Sequence, residues 1–291
     1  MNRRIARVAS KKERQRQLAR QAYERRLDRR AAQARREKQW AVGVIIVILV
    51  AAIGVGAAAI AGVFSTAKSS AAASPKATPS ASASPTPTAA MVDGKCVYIK
   101  SGTAARKVSL PPAKPDTSAH YTAKIVTNRG TIRIALDDAA PCTVNSFVSL
   151  ADQKFFNNTK CQRLTTAGAG YYILQCGDPT GTGEGGPGYE FYTENTSSLK
   201  TVKVSGETEG LYPAGMVAMA NSSTPGSNGS QFFLVYKNSD LPASYTPFGT
   251  ITSGLGIIQK VAKAGSTNSL GTDDGAPKEK VQIERMTITK T

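Results

Sequence analysis

The chain predicts a mostly β domain, closed into a barrel or packed as a sandwich, placed behind an N-terminal part of quite different chemistry. Three observations point there. From about residue 119 to the C-terminus, short β-like runs are separated by turn residues. Only two stretches of that region have helical spacing. Composition also divides the 291 residues into unlike segments: 1–39 basic, 40–64 apolar, 65–90 rich in Ser, Ala, Pro and Thr, 91–118 a lead-in, and 119–291 the folded domain.

Residues 1–39 carry fifteen Lys or Arg against four acidic residues (Glu13, Glu24, Asp28, Glu37), so a net +11 of the formal +17 lies there. Ala, Gln, Arg and Glu without Pro or Gly predict a basic, solvated helix. Its expected partner is anionic lipid, with a cytoplasmic partner or nucleic acid as the alternative. The pI near 9.8 does not call for nucleic acid, because basic charge alone attracts any polyanion and specifies none.

Trp40 to Phe64 is a run of twenty-five residues without a charge. That exceeds the ~20 residues a bilayer core requires, and it predicts one transmembrane helix. Lys and Arg crowd its N-terminal side, while only Lys68 and Lys76 follow in the first stretch beyond. The N-terminus is therefore expected in the cytoplasm and the C-terminal domain outside it, on a single-pass membrane protein. Ala-x-Ala sites after the apolar run make a cleavable signal peptide the rival reading, but the charged region is longer than a signal peptide carries. Residues 65–90 have no apolar periodicity and are expected to be a disordered spacer.

Within the domain, Tyr121 to Val126 and Thr131 to Leu136 flank Thr-Asn-Arg-Gly, a hairpin turn. Thr143 to Ala151 places Val144, Phe147, Val148 and Ala151 on one helical face. Further strands are expected at 171–176, 215–220, 231–236, 249–251 and 281–289, with a second helix at 255–264. Roughly 170 residues suffice to enclose a core. The lead-in, with Cys96, Tyr98 and Leu110-Pro-Pro, receives no role from its sequence.

All four cysteines, Cys96, Cys142, Cys161 and Cys176, follow the apolar run, which permits one or two disulfides in an oxidising compartment. Four cysteines allow three complete pairings, and all three stay open. No Cys-x-x-Cys cluster suggests a zinc site, and no metal or cofactor is expected. Gly181-Thr-Gly-Glu-Gly-Gly186 fits the dinucleotide pattern G-x-G-x-x-G, but Pro187-Gly-Tyr-Glu-Phe-Tyr cannot open the helix that a pyrophosphate needs. His120 is the only histidine and lies in polar lead-in sequence, where it is expected to be exposed and without function.

A series of motifs in one order then points further. Asn145-Ser-Phe147 with Leu150 is followed by Phe155-Phe-Asn-Asn-Thr-Lys-Cys-Gln-Arg163 and by Gln175-Cys-Gly-Asp-Pro-Thr-Gly-Thr-Gly-Glu-Gly-Gly-Pro-Gly-Tyr189. Met216 to Asn221, Gly229-Ser-Gln-Phe-Phe233 and Tyr245-Thr-Pro-Phe-Gly249 complete it. From Thr122 to Ile288 the sequence resembles the cyclophilins, peptidyl-prolyl cis-trans isomerases. The resemblance implies a closed eight-stranded antiparallel barrel with two capping helices, and a membrane-anchored bacterial form of the family.

It also implies a site. Arg163 matches the catalytic arginine and Gln175 the glutamine beside it. Ala220, Asn221 and Gln231 match positions along the bound peptide, while Tyr172, Ile173, Phe233 and Leu241 match the wall of the proline pocket. Tyr245 stands where the family often has His. Four departures are visible: Cys161-Gln162 replaces Phe-His, the turn from Arg163 to Gln175 is about four residues longer, the loop 222–228 is one longer, and Asp240 stands where many members carry Trp. The last implies weak cyclosporin binding.

The chemistry suits an arginine. Rotation about a prolyl bond breaks amide resonance against a barrier of about 18–20 kcal/mol, and a donor to the twisted amide stabilises that state more than the planar one. The function expected is isomerisation of proline-containing polypeptides, assisting the folding of exported proteins. The alternative is a catalytically weak proline-peptide-binding, chaperone or scaffold module of the cell envelope.

Overall fold

The structure, a computed structural model, describes residues 89–204, 206–222 and 226–291. The expected basic helix at 1–39, the membrane span at 40–64 and all but the end of the 65–90 spacer lie outside the described residues. Among those described, no helix is long and apolar enough to cross a membrane.

The main sheet contains β1 (Tyr121–Thr127), β2 (Gly130–Leu136), β3 (Thr159–Lys160), β4 (Arg163–Thr165), β5 (Ile173–Cys176), β6 (Met216–Met219), β7 (Phe232–Val235), β8 (Pro247–Ser253), β9 (Asp274–Gly275) and β10 (Gln282–Lys290). Two helices accompany it, α1 (Pro141–Asp152) after β2 and α2 (Leu255–Ala264) after β8. The β1–β2 hairpin forms where its turn residues place it. Thr127 pairs with Gly130, and the Thr127 hydroxyl donates to the Gly130 carbonyl at 2.7 Å. Gly130 has φ +129°, a conformation that favours glycine, and a Cβ there would also press within 2.7 Å of the movable Ile257 Cδ1. Alternation along the hairpin buries Ala123, Ile125, Ile132, Ile134 and Leu136.

The expected closed eight-stranded barrel is corrected to an open half-barrel of ten strands. Its order is β9-β4-β5-β7-β6-β8-β2-β1-β10-β3, and the edge strands β9 and β3 do not pair with each other. The cause is a change of partner within one run of chain. Thr159 and Lys160 pair with β10, whereas Arg163 and Leu164 pair with β5. At the switch, the Cys161 N–H goes to the Val281 carbonyl at 3.0 Å and the Cys161 sulfur to Cys176. The far side of β4 is then occupied by β9.

Phe147 on α1 anchors the core. Its ring centroid lies 5.1, 5.4 and 5.1 Å from those of Phe156, Phe232 and Phe248. The helix starts on Pro141, whose fixed φ suits the first turn, but Ala140 supplies no side-chain cap. Glu194, from a distant loop, accepts the Thr143 N–H at 2.5 Å instead. Burial outweighs these hydrogen bonds and holds the Glu194 carboxyl above the ordinary glutamate value.

The lead-in straps α1 to the segment after the Gly-rich stretch. Cys96 is bonded to Cys142, the Tyr98 hydroxyl donates to the Cys142 carbonyl at 2.8 Å, and Asn145 Nδ2 donates to the Pro112 carbonyl at 2.7 Å. Arg106 donates to the carbonyls of Phe155 (3.0 Å) and Asn157 (2.5 Å) beyond the helix C-terminus, where a cation is favoured. Ile99–Lys100 pairs with Tyr189–Glu190. His120 is 74% exposed and pairs with Asp138 at the surface.

Two outcomes are expected. Replacing Cys96 and Cys142 with Ala opens a loop with a sequence separation of 46. Urea unfolding should then show a loss approaching 4 kcal/mol, the chain-entropy value for such a loop. Glu194→Ala should cost about 1 kcal/mol by loss of the cap. Glu194→Gln keeps the acceptor and removes the buried charge. Because the folded-state pKa is raised, the wild type loses stability as pH rises through that value, so at pH 7 the Gln variant should be no less stable.

Candidate active site

Strands β4, β5 and β7 lie side by side, and their alternation sorts two chemistries onto two faces. Leu164, Leu174, Cys176, Phe232 and Leu234 belong to the main core. Ile173, Phe233 and Val235 point to the other face, where they cluster with Leu199, Tyr212, Ala218 and Leu241, and Tyr171, Ala220 and Tyr245 pack at the margin. Arg163 is the register partner of Gln175, and Gln175 that of Phe233. A guanidinium, an amide and an apolar cluster therefore share one face of the sheet.

The Arg163 guanidinium is held on two sides. Its Nε and Nη2 donate to Asp274 Oδ1 and Oδ2, each at 2.8 Å, and Nη2 also donates to the Tyr171 hydroxyl at 2.5 Å. Nη1 makes a long contact of 3.4 Å to Gln175 Oε1. The Arg163 side chain is 20% exposed and that of Asp274 14%. Burial pulls the guanidinium pKa down, but the hydrogen bonds and charge of Asp274, with Tyr171 and Tyr245 nearby, outweigh it and raise the pKa above its ordinary value.

Behind Gln175 runs an amide relay. Gln231 Nε2 donates to the carbonyls of Gly183 and Gly185, each at 3.0 Å, which turns Gln231 Oε1 toward its two donors, Gln175 Nε2 (2.8 Å) and Gln162 Nε2 (2.9 Å). The Gly-rich loop that supplies those carbonyls is wound round a buried carboxylate. Asp178 accepts the N–H groups of Thr180 (2.7 Å), Thr182 (3.1 Å) and Gly183 (2.7 Å). Burial opposes the charge, yet these bonds hold the Asp178 pKa below the ordinary carboxylate range. The loop amides are thus occupied by the chain's own anion rather than open to a phosphate. A Cβ on Gly185 would sit 2.0 Å from Asp178 Oδ1, so the winding requires glycine there.

The other expected site residues take the following places. Phe233 and Tyr245 pack edge to face with centroids 5.4 Å apart, and the Tyr212 hydroxyl bonds the carbonyls of Pro242 (3.2 Å) and Tyr245 (3.0 Å), fixing the loop that carries Tyr245. The Ala220 N–H is engaged by the Gln231 carbonyl at 2.9 Å, and Asn221 Nδ2 donates to the Ser244 carbonyl at 2.8 Å. Tyr172 does not join them. Its ring lies 5.8 Å from that of Tyr236, under the Lys237 ammonium at 4.5 Å. Neighbouring residues of an extended chain face opposite ways, so Tyr172 and Ile173 cannot both wall one pocket.

Tyr171 takes the place expected of Tyr172. Counting back in twos from Gln175 through Ile173 would have found it. Asp274 had no local signal, since it lies 111 residues from Arg163. Cys161, where an aromatic residue was expected from the resemblance, is tied to Cys176 at the end of β5, with a sequence separation of 15.

Residues 122–288 match the family model for cyclophilin type peptidyl-prolyl cis-trans isomerase/CLD. The chain belongs to the cyclophilin family. It is 47% identical over 206 residues to a probable peptidyl-prolyl cis-trans isomerase B of Mycobacterium leprae (strain TN), with 66% of each chain covered. It is 44% identical over 203 residues to a probable isomerase B of Mycobacterium tuberculosis (strain CDC 1551 / Oshkosh), covering 67% of this chain and 64% of that one. The chain thus spans slightly less than two thirds of the length of these two relatives. Identity to the peptidyl-prolyl cis-trans isomerase A of Mycobacterium tuberculosis (strain ATCC 25618 / H37Rv) is 37% over 184 residues, 59% of this chain and 93% of the relative. A crystal structure of a Cryptosporidium parvum cyclophilin superposes with a TM-score of 0.49 at 27% identity, covering 59% of this chain and 99% of that one.

Asp178→Asn puts an amide among N–H donors and should lower stability at pH 7 by about 2 kcal/mol in urea unfolding. The folded-state pKa of Asp178 is depressed, so its contribution is complete above the unfolded value of about 4 and is lost as pH falls through the folded one. The difference between wild type and variant should therefore shrink in acid; a difference constant from pH 7 to 3 would contradict the assignment.

Proposed function

We propose that this protein is a peptidyl-prolyl cis-trans isomerase that assists the folding of exported polypeptides. The observation that carries the reading is a fixed guanidinium on the same face as an apolar cluster. Ile173, Phe233 and Leu241 offer a surface for a proline ring, with Tyr171 and Tyr245 at its edge. Nη1 of Arg163 makes only a long contact of 3.4 Å to Gln175 Oε1, weak enough to give way to a stronger acceptor.

When the prolyl bond twists, its nitrogen becomes pyramidal and regains a lone pair. A hydrogen bond from Nη1 to that lone pair exists only in the twisted state, so it lowers the barrier without tightening ground-state binding. Gln175, oriented by Gln231, stands where its amide can meet the substrate carbonyl. No nucleophile or transferred proton is required.

An extracytoplasmic site, with the span at 40–64 in the membrane and 1–39 near cytoplasmic anionic lipid, is supported by the hydropathy and charge asymmetry of the sequence and by two disulfides, which persist in oxidising compartments. Proline-containing segments emerging there are the substrates this arrangement suits.

The test is an Xaa-Pro isomerisation assay on the full detergent-solubilised chain beside Arg163→Ala. Loss of a single transition-state donor predicts a fall in kcat/KM of about 10²–10³-fold with peptide binding retained. A folded wild type that binds proline peptide without accelerating isomerisation would favour the binding-module alternative.

A further inference from the structure

We infer that Asp274 is the positioning residue for the reacting guanidinium: by gripping Arg163 side-on through Nε and Nη2, it turns Nη1 toward the proline pocket. The inference deepens the isomerase reading and rests on it.

Arginine has five N–H groups, and a carboxylate can grip them end-on or side-on. Here the grip is side-on, with both bonds at 2.8 Å. Tyr171 takes a further Nη2 hydrogen. Nη1 is the nitrogen that the side-on grip leaves out, and it is the one that reaches Gln175. A mobile arginine would lose about 2 kcal/mol of rotamer freedom on meeting the twisted amide. One already clamped has lost that freedom beforehand, so the hydrogen bond forms without reorganisation.

The clamp is itself held. Asp274 pairs in register with Thr165 and Gly275 with Leu164, so β9 rides on the strand that carries Arg163. A Cβ on Gly275 would lie 2.7 Å from the Ser269 nitrogen, leaving only glycine after the aspartate. Asp273 ties this hairpin to the longer turn that bears Tyr171: its carbonyl accepts the Thr166 N–H at 2.9 Å and its Oδ2 the Gly168 N–H at 2.8 Å. The additional residues between Arg163 and Gln175 and the Asp274 hairpin form one unit that closes on the guanidinium from two sides.

A salt bridge that served only stability would change unfolding and leave turnover alone. The experiment therefore separates kcat from peptide affinity and watches the guanidinium directly, in the full chain carrying Asp274→Asn or Asp274→Glu. The first removes the charge in the same shape; the second keeps the charge and displaces the grip by one methylene. Both are expected to bind a proline tetrapeptide with Kd within about twofold of wild type, while kcat falls about tenfold to a hundredfold. The Arg163 Nε–H NMR resonance, protected in the wild type, should broaden and exchange faster in both. A folded variant with a released resonance and wild-type kcat would overturn the inference. If the wild type shows no isomerase activity, the isomerase reading fails alone and the resonance decides the positioning: an Nε–H signal unchanged by Asp274→Asn would overturn that as well.

Discussion

An extended strand shows each residue to one face only, and both core and site of this cyclophilin depend on that constraint at β4, β5 and β7. Leu164, Leu174, Phe232 and Leu234 go inward to the aromatic core around Phe147, while Arg163, Ile173, Gln175 and Phe233 go outward. A slip of one residue in any of these strands would exchange the two sets. The buried apolar side chains therefore hold the register that the site needs. Their contribution to function is geometric, although their contribution to energy is hydrophobic.

Electrostatics at the site follows from incomplete burial. An arginine whose side chain is 20% exposed has lost much of its hydration and needs a partner, which Asp274 provides. Ion pairs of this kind add little net stability, because desolvation offsets attraction, and their more defensible role is to specify a geometry. Asp178 works the same way on a smaller scale. Its carboxylate collects the amides of the Gly-rich loop and thereby places the Gly183 and Gly185 carbonyls that orient Gln231. Two acids, one local and one from a distant hairpin, thus set opposite ends of the same polar chain.

The departures from the family pattern acquire physical content in this setting. Cys161 removes an aromatic body and replaces it with a covalent tie to the end of β5, at the point where the chain changes partners and the sheet stays open. Gln162 stands in for His by donating to Gln231. The longer turn after Arg163 delivers Tyr171. The lead-in, which sequence left without a role, covers α1 and pairs with Tyr189–Glu190.

Much of the architecture was readable because it is written in short-range terms. The β1–β2 hairpin follows from its turn residues and alternation, and α2 from helical spacing, while the site's central members, Arg163, Gln175 and Phe233, sit in motifs a few residues long. Tyr171 was also readable, since the parity of β5 places it opposite Tyr172. Other features have no local signature: the choice of Cys96–Cys142 and Cys161–Cys176 among three pairings, the Glu194 cap on a helix 51 residues away, the change of partner that leaves the sheet open, and the Asp274 grip on Arg163. Each depends on where two distant segments arrive once the sheet has curved. Periodicity records which face a residue takes; only the packed fold decides what that face meets.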